Sequence, residues 1–148
     1  ETLVVAYSLE EGLRSFYLEM QDKVNNSDAR NLFEKLSEIE VKHQERILDE
    51  YRKITGSSIT REEFEKNIVV NALEGGLTTE EYANLFHPDW ESVTDIIEVA
   101  MSIEAQALDL YLRASDRSSE SQSQKVLRQI ADEERTHLAQ LGKLIESI

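Results

Sequence analysis

Glu134-Arg135-Thr136-His137 repeats a pattern that occurs once earlier, at Glu40-Val41-Lys42-His43, 94 residues before it (134 − 40 and 137 − 43). Residues three apart on a helix share a face, so each copy presents a carboxylate beside an imidazole, a spacing suited to a metal ion. One such copy in a chain this acidic reads as a solvated helix face. Two copies carry more meaning if the residues around them repeat as well.

They do. Ala6, Ser8, Leu9, Glu10, Phe16, Tyr17 and Leu18 correspond, at the same offset, to Ala100, Ser102, Ile103, Glu104, Leu110, Tyr111 and Leu112. One shift therefore relates a first helix to a third and a second to a fourth, as expected for a duplicated helical hairpin. Apolar residues three and four apart mark each helix. The first stripe is Leu3, Ala6, Glu10, Leu13, Tyr17, Met20, Val24; the second is Ala29, Phe33, Leu36, Glu40, His43, Ile47, Glu50, Ile54. The third is Val93, Ile97, Ala100, Glu104, Ala107, Tyr111, Ala114; the fourth is Leu127, Ile130, Glu134, His137, Leu141, Leu144, Ile148. Polar residues interrupt the stripes at Glu10, Glu40, His43, Glu50, Glu104, Glu134 and His137. Glu50 lies near a helix end and is expected to reach water; the other six fall near mid-helix.

Boundaries follow from local chemistry. Asn25, Asn26, Ser27 and Asp28 supply N-cap candidates for the second helix, and Gly56-Ser57 ends it. The turn around 116–119 is short, so the fourth helix returns antiparallel to the third. The expected halves are about 3–54 and 91–148 of a single domain spanning 1–148, joined by a crossover over about 55–90. That crossover is too apolar at Ile68, Val69, Val70, Ala72 and Leu73 to be a free linker. Capping-box spacing at Thr60/Glu63 and Thr78/Glu81, with breaks at Gly75-Gly76 and His87-Pro88, predicts one or two short helices packed along the bundle or on a partner chain. His87, which has no repeat mate, reads as a surface or capping residue. Trp90 reads as an anchor at the start of the third helix.

Composition narrows the chemistry. With 148 residues and 40% apolar content, one real core can form. Five glycines and one proline leave long stretches free for helices. A net charge of −14 disfavours nucleic acid and anionic membrane surfaces as partners. Zero cysteines exclude disulfides, iron–sulfur clusters, thiolate zinc sites and a rubredoxin-type iron within these residues. No apolar run approaches the ~20 residues of a membrane span, and no signal-peptide pattern opens the chain, so a cytoplasmic protein is expected.

Four inward glutamates cannot all stay ionised in a core without cations, because each uncompensated carboxylate costs several kcal/mol against a domain stability of about 5–15 kcal/mol. Two divalent ions would bring four positive charges to four carboxylates, with two neutral imidazoles completing the shell. A Glu from each of two helices plus Glu-x-x-His from each of the other two is the known ligand set of di-iron and di-manganese carboxylate bundles. Oxygen and nitrogen donors without thiolate suit iron or manganese, and affinity alone admits zinc.

On Glu10, Glu40-x-x-His43, Glu104, Glu134-x-x-His137 and the duplication, the chain resembles the rubrerythrin-like branch of the ferritin-like superfamily. The resemblance implies an all-α, antiparallel four-helix bundle of two pseudo-twofold-related hairpins with a long, partly helical crossover. It further implies two iron ions, Glu10 and Glu104 as terminal ligands, Glu40 and Glu134 as bridges, and His43 and His137 each on one iron. Tyr17 and Tyr111 match family tyrosines near the metals, where they orient a carboxylate or guard against stray oxidant. Two departures bear on activity: rubrerythrins proper carry a rubredoxin domain, and they carry a further glutamate one turn after Glu104, where this chain has Ala107. The family reduces peroxide with an iron that moves between that glutamate and a histidine; Ala107 makes the centre closer to the symmetric one of bacterioferritin.

The functional expectation is a di-iron oxidoreductase that oxidises Fe(II) with peroxide or dioxygen and draws electrons from an external donor protein, with a role in oxidative stress. The alternatives are an iron-handling ferroxidase without steady turnover, a di-iron oxygenase, and a structural bundle with a vestigial site. The apolar crossover and the ferritin-like habit point to a homodimer. Asp132-Glu133-Glu134 is read with Glu134 inward and its neighbours mostly solvated, and Asp109 or Ser15 as weak candidates for a bond to a ligand histidine.

Overall fold

The computed structural model describes residues 2–66 and 88–148. Among them are five helices and no strand: α1 (Thr2–Lys23), α2 (Ser27–Thr55), α3 (Arg61–Phe64), α4 (Val93–Arg117) and α5 (Ser121–Ser147). The expectations at Ile68 to Leu73, Gly75-Gly76, Thr78/Glu81 and His87 lie outside the described residues.

Each long helix is defined at its ends by its own sequence. Asn26 takes the extended conformation and its side chain accepts from the Ala29 amide, which satisfies one of the free N–H groups opening α2. Gly56 closes α2 at φ 66°, a left-handed conformation that a Cβ would disfavour. Ser92 caps α4 by accepting from the Asp95 amide, so this helix begins two residues after the expected Glu91 and runs three beyond Ala114, to Arg117.

Three-residue turns, 24–26 and 118–120, join α1 to α2 and α4 to α5. α1 also packs on α4, and α2 on α5, which gives the four long helices the cyclic order α1, α2, α5, α4. Side-chain pairs fix their directions. Tyr17 meets Glu104 while Tyr111 meets Glu10, so positions rising along α1 face positions falling along α4. Likewise His43 meets Glu133 while Glu50 meets Ser123. Both pairs of helices are antiparallel, as a twofold axis perpendicular to the helices gives.

The interior is built from the stripes. Leu13, Tyr17, Phe33, Leu36, Ile47, Ile97, Ala100, Ala107, Tyr111, Ile130 and Leu141 are fully buried, each large apolar side chain contributing about 1.5–3 kcal/mol. The stripes fail at their ends: Ile54 and Ile148 are exposed, since the last turn of each helix extends past its neighbours' cover. Glu50 is a second departure. Expected in water, it is 3% exposed and accepts from the Ser123 hydroxyl at 2.8 Å. The returning helix α5 supplies both the cover and the partner.

The start of the crossover is held on the bundle. Thr60 accepts from the Glu63 amide as its spacing predicts, and α3 drops Phe64 fully buried between Tyr7 and Tyr51, with ring centroids 5.0 and 4.8 Å away. Glu65 accepts from the Tyr7 hydroxyl at 2.5 Å, and Arg61 bridges Glu65 to Gln44. Trp90, half-buried, stands 6.4 Å from the Phe16 ring at the approach to α4.

Candidate metal centre

All six residues singled out by the repeat converge at the middle of the bundle. Glu10, Glu40, Glu104 and Glu134 are fully buried, and His43 and His137 are 1% and 3% exposed. Their donor atoms form two overlapping groups, Glu10/Glu40/His43/Glu134 and Glu40/Glu104/Glu134/His137, each lying within 4.8 Å and each able to hold a metal ion. Glu40 and Glu134 belong to both groups. The arrangement is that of two adjacent positions with two carboxylates between them, one carboxylate at each end and one imidazole apiece.

Bonding within the cluster is incomplete in a telling way. Both oxygens of Glu40, both of Glu134, Oε2 of Glu104 and Nδ1 of His137 have no hydrogen-bond partner. His43 Nδ1 lies 3.2 Å from Glu40 and 3.1 Å from Glu134, and His137 Nδ1 lies 3.4 Å from each of Glu40, Glu104 and Glu134. These distances suit ion pairs, but the alignment needed for hydrogen bonds to the glutamates between the two positions is missing. Buried carboxylate oxygens left without donors are costly, and cations would satisfy them. The donor set, oxygen and nitrogen with no sulfur, fits two divalent ions.

Protonation follows the same logic. Burial alone would lower His43, yet the carboxylates of Glu133, Glu134 and Glu40 push it up to about 11. Burial likewise opposes the rise at His137, where Glu104, Glu134 and Glu40 push the imidazole up to about 11. Burial and the facing Glu104 push Glu134 up to about 8, while Glu104, despite its own burial, is held below the usual carboxylate range by the nearby Glu134 and His137 and by the Tyr17 hydroxyl. Protons thus take the role that cations would fill.

Tyr17 donates to Glu104 Oε1 at 2.5 Å, and Tyr111 donates to Glu10 Oε1. Each hairpin therefore orients the terminal glutamate of the other. Burial, together with the nearby carboxylates, raises both phenols well above their ordinary range, so they remain donors.

One residue at the site has a role that the sequence reading missed. Glu133, expected among the solvated neighbours of Glu134, has a side chain 46% exposed, yet its Oε2 sits 2.5 Å from His43 Nε2. Arg46 holds that carboxylate with Nη1 at 3.0 and 2.8 Å. The available signal was Arg46 one turn after His43 and Glu133 next to Glu134, two charges that meet only when α2 and α5 pack antiparallel. Asp109 pairs instead with Arg113 at the surface.

A buried, two-position carboxylate–histidine cluster in a four-helix bundle defines a protein of the ferritin-like kind. The chain matches the family model described as Rubrerythrin over residues 1–145 and belongs to that family. Among solved structures it is similar to a hypothetical protein, Pfu-1136390-001, from Pyrococcus furiosus, at 20% identity and a TM-score of 0.71 over 99% of this chain and 87% of that one. At that identity the likeness speaks for the fold. No curated protein matches. Among the described residues no helix is long and apolar enough to cross a membrane.

Proposed function

We propose that this chain is a di-iron redox protein that oxidises Fe(II) with hydrogen peroxide or dioxygen, receiving electrons from a separate donor protein. The observation that carries the reading is the sharing of Glu40 and Glu134 between both donor groups, with all four of their oxygens unpartnered. Manganese or zinc would also satisfy these donors; the redox reading selects iron.

Two bound irons cycling between Fe(II) and Fe(III) would supply the two electrons that, with two protons, reduce one peroxide to two waters. The chain's residues do the rest. Glu40 and Glu134 would hold the two metal positions adjacent, with none of their four oxygens committed to a hydrogen bond. Glu10 and Glu104 close the ends, each aimed by the tyrosine of the opposite hairpin. His43 and His137 present Nδ1 to the carboxylates. Leu13, Leu36, Ile47 and Ile130, all fully buried, keep bulk water from the centre.

A second reading, iron uptake and oxidation without steady turnover, is favoured by one residue. Ala107 is fully buried where the resemblance places a further glutamate, so no carboxylate stands there to receive a moving ion. Kinetics separate the two. Peroxide consumption that continues while a reductant is supplied supports the first; a single burst matched to the added Fe(II) supports the second. Absence of any Fe(II) oxidation by the loaded protein would overturn both.

A further inference from the structure

The pseudo-twofold that relates the six ligands breaks immediately behind them. Shifting by 94 residues takes His43 to His137, but it takes Ile39 to Glu133 and Arg46 to Gln140. The carboxylate behind His43 therefore has no counterpart behind His137, where the equivalent side chain is an alkyl group that can accept no proton. Glu133 Oε2 is 2.5 Å from His43 Nε2, and Arg46 grips both oxygens of Glu133, at 3.0 and 2.8 Å, while reaching Gln129 at 3.4 Å.

We infer that Glu133, steadied by Arg46, makes the two metal positions unequal, so that the one formed by Glu10, Glu40, His43 and Glu134 fills first and binds more tightly. The two positions have the same inner donors: two shared carboxylates, one terminal carboxylate and one imidazole. A difference in affinity must come from what stands behind those donors. A carboxylate accepting from the remote ring N–H fixes the tautomer that turns the Nδ1 lone pair inward, and it raises the ring's donor strength. Losing such a partner typically costs 10–100-fold in metal affinity, by the general behaviour of these contacts. Through-space attraction by Glu133 is a weaker explanation, because the Arg46 guanidinium largely neutralises its charge.

This rests on the two-metal reading, and Zn(II), which has no redox chemistry, tests it without turnover. Stepwise calorimetric titration of metal-free protein with Zn(II) is compared among the native chain, Glu133→Gln and Glu133→Asp. Asp keeps the charge but is too short to reach Nε2. Both substitutions alter a half-exposed side chain, and circular dichroism verifies that helix content is kept. The native chain is expected to bind in two separable steps. Both variants are expected to weaken the first step by roughly 10–100-fold and leave the second within about twofold. Equal native steps, variants that bind like the native chain, an Asp variant that retains native affinity, or equal weakening of both steps would each overturn the inference. If the native chain takes up no Zn(II) at all, it is the two-metal reading that fails.

Discussion

Tyr17, on α1, donates its hydroxyl to Glu104, on α4, at 2.5 Å, and the repeat carries the same bond back from Tyr111 to Glu10. The two hairpins are thus cross-tied through the ends of the metal centre, and neither hairpin alone could orient its own terminal glutamate. Removing one hydroxyl takes a donor from a buried carboxylate, a loss of about 1.5–3 kcal/mol by the usual value for a bond to a charged group. Tyr17→Phe and Tyr111→Phe should each lower the melting temperature of the metal-free protein by a similar amount, with helix content retained. Thermal denaturation followed by circular dichroism reads the effect, and a difference above about 2 kcal/mol between the two variants, set against that same value, would speak against the symmetry.

Metal-free protein should lose stability as the solution becomes alkaline. His43 and His137 are pushed up to about 11 from 6.5, and Glu134 up to about 8 from 4.5. A raised folded-state pKa means the folded chain holds protons that the unfolded chain has released. The resulting stability is full below the unfolded value and drains away as pH climbs through the folded one. Glu104 and Glu133 are shifted downward from 4.5 and act only at acid pH, outside this window. In the presence of a chelator, the melting temperature should fall between pH 7 and pH 10. A flat or rising profile would contradict the protonation pattern.

Metal uptake should release those same protons. At neutral pH an entering ion must displace protons from both imidazoles and from Glu134. Calorimetry with Zn(II) in two buffers of different ionisation enthalpy should show a clear buffer dependence, and affinity should rise with pH. Heats that do not depend on the buffer would mean that the site is already deprotonated.

Phe64 is expected to anchor the start of the crossover independently of the metal. It is fully buried between Tyr7 and Tyr51, neither of which is among the six ligands. Phe64→Ala should cost about 3–5 kcal/mol, as truncation of a buried aromatic does. Denaturant unfolding reads that loss, while metal stoichiometry should be unchanged.

The four long helices and the six central residues were legible in the sequence because duplication made each observation count twice. Glu10 and Glu104 have no histidine three residues on, and it is their place in an apolar stripe together with the common offset that marks them as partners of Glu40 and Glu134. What the sequence hid depended on the pairing of helices. Glu50 looked bound for water because it sits near the end of α2, but α5 covers it and offers Ser123. Glu133 looked like one solvated acid in a run of three, since helical periodicity gives the face of a residue and not the neighbour it meets. Tyr17 and Tyr111 lie in the stripes beside the glutamates, but the crossing of their bonds between hairpins appears only once α1 and α4 run antiparallel.

Six buried residues are expected to hold two metal ions. Elemental analysis of the native protein beside Glu134→Ala, both exposed to Fe(II) or Mn(II) and freed of excess ion, tests it most directly. Glu134 is shared by both donor groups, so its loss should affect both positions together. About two ions per native chain are expected, as in the ligand set of carboxylate bundles, with severe loss in a variant that still melts cooperatively. A native chain that takes up no transition metal, or a variant that keeps both ions, would contradict it.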